Sequence, residues 1–220
     1  MRSATRITVS TFGTIAAIAG IEHGIGEVLQ GDVAPPGMVF ESWAGSELFQ
    51  ILAGEPAMTL VPNLLASGIL TILVSLIVLV WAIWFVERKY GGLVLIGLSI
   101  ALLLVGGGFG PPLLGMILGA AATRIGRPLA WWRAHLPPLW VRFLAALWPW
   151  GLGAALVAWF FLFPGSIILD SFANLGNLDT VVYVDMVAAF VLLLLTLFAS
   201  FARDIEQRGA PAGEPELRVA

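Results

Sequence analysis

Long apolar runs, separated by short polar punctuation, organise this chain. The first covers 7–29 and ends at Gln30 and Gly31. A polar connection, 31–57, then carries Asp32, Glu41, Glu47 and Glu55. The run 58–86 has no charged residue until Glu87, Arg88 and Lys89 stop it. Its Pro62 falls where a first helical turn has no use for the missing N–H. Residues 91–123 are again free of charge, 141–164 form a further run containing Pro149, and 181–202 form the last. A helix crosses a bilayer with about 20 apolar residues, so the pattern predicts an all-α polytopic transmembrane bundle. Within the first connection, 42–53 predicts a short interfacial helix with Trp43 as its anchor. Residues 165–179 read as a loop. The stretch 1–203 reads as one transmembrane domain, and 204–220, with Pro211 and Pro215, as a disordered cytoplasmic tail.

The run 91–123 differs from the others. Gly106, Gly107, Gly108, Phe109, Gly110, Pro111 and Pro112 interrupt it. Glycines carry a propensity penalty, and tandem prolines remove donors and exclude the helical basin from the preceding residue. Each remaining arm is about 15 residues, or roughly 22 Å, against a hydrocarbon core of about 30 Å. The expectation is four full spans plus a central broken hairpin, either re-entrant or a turn between tilted helices, giving five to six membrane helices. Backbone at Gly107, Gly108, Gly110 and Pro111 would then be exposed at membrane depth, which is tolerated only where protein shields it or it lines a cavity.

Composition agrees with lipid as the solvent. The chain is 59% hydrophobic and 11% charged, where soluble domains carry about a quarter charged residues. The eleven basic residues include Arg2, Arg6, Arg88, Lys89, Arg124, Arg133 and Arg208, and the connections 31–57 and 165–179 contain none. By the positive-inside rule both termini are expected in the cytoplasm. Trp81, Trp84, Trp131, Trp132 and Trp140 lie beside the same proposed surface, as an aromatic belt would. The amino-terminal run resembles a secretory leader, but Thr8, Ser10, Thr11, Gly13 and Thr14 dilute it, so it reads as an uncleaved span. Ala, Gly and Arg enrichment with a single lysine points to a prokaryotic inner or plasma membrane. The lipid bilayer is the expected partner, self-association through small-residue faces is open, and nothing supports nucleic-acid binding.

Chemistry narrows to a few groups. Cysteine is absent, which removes disulfides, thiolate nucleophiles and Cys-ligated metals. The lone Lys89 ends a run, so no Schiff-base lysine lies within a span. His23 and His135 fall on opposite sides, which disfavours a bis-His haem. Ionisable residues at membrane depth default to function, and the first run holds Glu22, His23 and Glu27. On a helical wheel Gly13, Ala16, Gly20 and Gly24 form one stripe suited to close helix packing. His23 and Glu27, at i and i+4, share that inward side. Glu22 falls on the opposite side, with Ile15, Ile18, Ile25 and Leu29, and needs a partner of its own. Glu55 precedes the second run and Asp185 lies just inside the last, so both reach the same outer level. The expected site is an outer-half cluster of His23, Glu27, Glu55, Asp185 and Glu22, which would handle protons, cations or a small solute in a transporter or channel. One alternative is a membrane metalloenzyme with a metal on His23 and Glu27. Another is a structural subunit in which the pair only fixes packing. The cofactor, and whether a metal or partner chain completes the site, are left open by the sequence.

Overall fold

A computed structural model of the chain describes residues 3–173 and 178–209. Helix α1 spans Ala4–Gln30, and the connection after it forms two short strands, β1 (Val39–Glu41) and β2 (Pro56–Met58), around a 3-10 helix, Glu47–Leu52. Helix α2 (Leu64–Val80) continues through a π turn, Trp81–Phe85; α3 is Gly91–Val105 and α4 Gly110–Ala122. A short α5 (Ala130–His135) leads to α6 (Pro138–Phe160), which passes through a second π turn, Phe161–Gly165, into α7 (Ser166–Ala173). Helix α8 is Leu178–Gly209.

Among the described residues, four helices are long and apolar enough to cross a membrane: α1, α2 with its π turn, α6 with its continuation, and α8. Helices α3 and α4, with 15 and 13 residues, rise only about 22 and 20 Å. They form the expected broken hairpin. The break is a turn at 106–109 in which Gly106 (φ 119°) and Gly108 (φ 71°) take left-handed backbone angles. Pro111 and Pro112 sit in the first turn of α4, where their missing N–H groups cost nothing.

Small residues let α1, α2, α3 and α4 approach closely. A Cβ on Gly13 would lie 2.6 Å from that of Ala82, one on Gly20 2.4 Å from Ser75 Oγ, and one on Gly24 2.8 Å from the Gly68 carbonyl. Gly92 meets the Gly119 carbonyl in the same way across α3 and α4. Helices α6 and α8 form a second packed pair, which meets α1 chiefly through α8.

Several expectations need correction. The connection 31–57 folds back through a short antiparallel strand pair, with Phe40 opposite Ala57, and its helical part shrinks to the six residues of the 3-10 helix. Trp43 is half-buried, stacks on Phe49 at 4.3 Å, and lies against Gly26 of α1. The expected loop 165–179 is helical up to Ala173. The π turn takes up Pro164, and Ser166 Oγ donates to the Leu162 carbonyl at 2.9 Å. Residues 174–177 of that loop lie outside the described residues. The expected tail starts too early: α8 runs on to Gly209 because Asp204 and Ile205 are buried there. The rest of the tail, 210–220, lies outside the described residues.

Ser3 Oγ donates to Asp204 Oδ2 at 2.5 Å, so the two ends of the described chain meet at one end of the bundle. Arg6 pairs with Glu87 at 3.1 Å, Arg133 reaches the Ile205 carbonyl, and Arg208 donates to the Arg127 carbonyl. The strand pair and the 106–109 turn lie at the other end.

Candidate functional site

The site grows out of the last turns of α1. Its small stripe faces α2, and this turns His23 and Glu27 inward: His23 is 6% exposed and Glu27 fully buried. The α3–α4 turn closes on both. A Cβ on Gly108 would lie 2.2 Å from His23 Nε2, and one on Gly106 2.2 Å from Glu27 Oε1. Only glycine backbone, already in the left-handed region, allows that approach. Gly107 is held equally tightly against Leu102. Gly110 and the buried Pro111 line a cavity described below.

The ring's other nitrogen faces oxygen. His23 Nδ1 lies 3.0 Å from the Ala19 carbonyl, and 3.2 Å from both Glu22 Oε2 and Glu55 Oε2. The residue that meets Glu22 therefore comes from the connection after α1. The wheel placed Glu22 opposite His23, yet its carboxylate curls back to the imidazole. Neighbouring residues sit only about 100° apart on a helix, which a long side chain spans.

Glu55 is brought in by a strained corner. Ala53 and Glu55 both have φ 53°, with Gly54 at φ 66° between them. Non-glycine residues occupy this region at a cost, typically where surrounding structure imposes it. The Glu55 carbonyl accepts from Ser42 N at 3.0 Å and its N–H donates to Leu52, which pins the corner. The side chain is buried, and Oε2 has no well-formed hydrogen bond among the described residues; the same holds for both Glu22 carboxylate oxygens. Burial, and then the hydrogen bond and like charge of Glu22, push the Glu55 carboxyl well above the usual carboxylate range.

Glu27 lies apart from this trio, one helical turn on. Neither of its oxygens has a hydrogen-bond partner among the described residues. Nearby, Ser67 and Thr71 donate to the Val105 carbonyl at 2.6 and 2.7 Å, and Leu60 N donates to Leu104 at 2.9 Å. The broken end of α3 is thus satisfied by α2 and the segment before it. Asp185 stands on α8, half-buried and outside the trio, with Oδ2 unpartnered.

His23 and Glu55 form the polar wall of an otherwise apolar cavity of about 260 Å³ between the α1–α4 group and the α6–α8 pair. Ala19, Leu114, Trp159, Phe163 and Met186 line the rest. Pockets of this kind, apolar with a few convergent polar groups, are where small ligands bind.

Sequence reasoning missed the β1–β2 pair, which carries Glu55 to His23. The signal was weak, since Val39, Phe40, Ala57 and Met58 are too few to show a period. No protein-family model, curated protein or solved structure matches this chain.

Proposed function

We propose that this protein is a small multi-pass membrane carrier that takes up a cation at the Glu22–His23–Glu55 site and handles a small solute in the adjoining cavity. The observation that carries the reading is the trio itself. Two carboxylates each lie 3.2 Å from one imidazole nitrogen inside an apolar bundle, and His23 and Glu55 open onto a cavity. Ionisable groups held so deep are costly unless they have a task. The α3–α4 turn adds broken-helix backbone beside His23 and Glu27, as discontinuous helices do in carriers. The α1–α2 seam from Gly24 to Gly13 is close-packed, which favours a carrier that must rearrange over an open pore. The basic end of the bundle would face the cytoplasm, with the site in the outer half.

Reconstituted vesicles test both parts. Loaded with a pH indicator and a divalent-sensitive dye, wild-type vesicles should show cation entry well above empty vesicles. His23→Ala and Glu55→Gln should reduce it at least tenfold. Flux no greater than in empty vesicles, or unchanged in both variants, sinks the carrier reading. Orientation is read in cells: the chain has no cysteine, so Glu47→Cys should react with an impermeant maleimide added outside.

A further inference from the structure

We infer that Glu22, His23 and Glu55 bind one first-row divalent transition-metal ion, of the Zn²⁺, Fe²⁺ or Mn²⁺ class. The inference rests on the cation-site reading above and names the ion.

The argument begins with the number of hydrogen atoms available. Nδ1 of an imidazole carries at most one proton, yet three oxygens surround it at 3.0 to 3.2 Å: the Ala19 carbonyl, Glu22 Oε2 and Glu55 Oε2. A single N–H serves one of them well, and a proton held between the Glu55 and Glu22 carboxyls serves one more. The remaining carboxylate oxygens have no partner among the described residues in a buried site, where that is expensive. Glu55 is 5% exposed and its Oε2, turned toward His23 Nδ1, has no well-formed hydrogen bond among the described residues. One cation among these atoms would satisfy them together.

The spacing agrees. Ligand atoms at about 2.05 Å from a metal stand about 3.3 Å apart in a tetrahedral set, or about 2.9 Å in an octahedral one. The observed nitrogen–oxygen separations of 3.2 Å fall within that range, and one donor atom from each of the three residues lies within 4.8 Å of the others. The donor set selects the class. Imidazole suits zinc, iron and copper, carboxylates suit the harder ions, and no thiolate is present to favour soft ones. An imidazole in place of a further oxygen argues against Mg²⁺ and Ca²⁺. Gly108, closed over Nε2, fixes the ring so that Nδ1 faces the carboxylates. The cavity approaches from the side of His23 and Glu55, leaving room for a water or solute ligand beside the ion.

The test uses the full chain in detergent micelles, stripped with EDTA, reloaded with Zn²⁺ and desalted. Elemental analysis should find about one zinc per chain, retained against excess Mg²⁺. His23→Ala and Glu55→Gln should each weaken zinc binding by about 100-fold, while Glu47→Gln, on the exposed 3-10 helix, should bind as wild type. If His23→Ala does not elute as a folded species, the near-isosteric Glu22→Gln and Glu55→Gln carry the test. Wild-type protein that retains no zinc, or folded variants that retain it with wild-type affinity, would overturn the inference. Zinc bound by the trio with no vesicle flux leaves the metal site standing and removes the carrier. His23-dependent flux in zinc-free protein does the reverse.

Discussion

Each end of α1 meets buried acid, one carboxylate at the first turn and three near the last, and the two places are built in opposite ways. At the amino-terminal end Asp204 of α8, 4% exposed, accepts from Ser3 Oγ at 2.5 Å, from Ala4 N at 2.6 Å and from Thr5 N at 3.4 Å. It satisfies orphan donors of the first turn and places a negative charge at the positive end of the helix dipole. Around it Trp148 Nε1 donates to Thr8, and Ser200 approaches Thr5 at 3.2 Å. At the carboxy-terminal end the carboxylates of Glu22, Glu27 and Glu55 include five oxygens without a hydrogen-bond partner among the described residues. The fold itself fills the oxygens of Asp204, whereas those at the other end are left for a further partner, the place the proposed cation would take.

This contrast can be broken or sharpened by substitution. The largest effect is expected at Gly108. Gly108→Ala places a Cβ 2.2 Å from His23 Nε2 at φ 71°, so the turn must move. We expect a loss of about 2–4 kcal/mol from steric displacement and backbone strain together, measured by thermal unfolding in micelles, with zinc binding abolished. An unchanged melting temperature would mean that the turn does not clamp the ring.

Asp204→Ala comes next. It strands the N–H groups of Ala4 and Thr5 in a buried place, at about 2–3 kcal/mol. The loss should appear in unfolding alone, with flux per folded molecule preserved. A specific loss of transport in the folded fraction would blur the distinction between the two ends.

The smallest effect on stability is expected for Glu55→Gln. It removes no well-formed acceptor at Oε2 among the described residues and replaces a carboxyl whose charged form burial and Glu22 already disfavour, so stability should stay within about 1 kcal/mol of wild type or rise. A destabilisation as large as that of Asp204→Ala would make the outer cluster structural after all.

What was legible before the fold was known follows from local rules. Long apolar runs marked the helices that are long enough to cross a membrane. The stripe Gly13, Ala16, Gly20 and Gly24 marked the face of α1 that α2 meets, because side-chain direction along a helix is fixed by its period. Residues 106–112 had to break, since glycine and tandem proline act on their own backbone wherever they stand. That His23 and Glu27 are unusual inside an apolar run also needed no coordinates.

Tertiary structure alone decided which acid meets the imidazole. Glu22 and Glu55 reach Nδ1, while Glu27 faces Gly106 one turn away. The β1–β2 pairing delivers Glu55 across more than 30 residues of chain, and the docking of Asp204 joins positions 200 residues apart. Local propensity carries no record of such encounters. They depend on how closely glycine-lined backbones approach and on which buried polar atoms find partners, and both are set only when the helices pack.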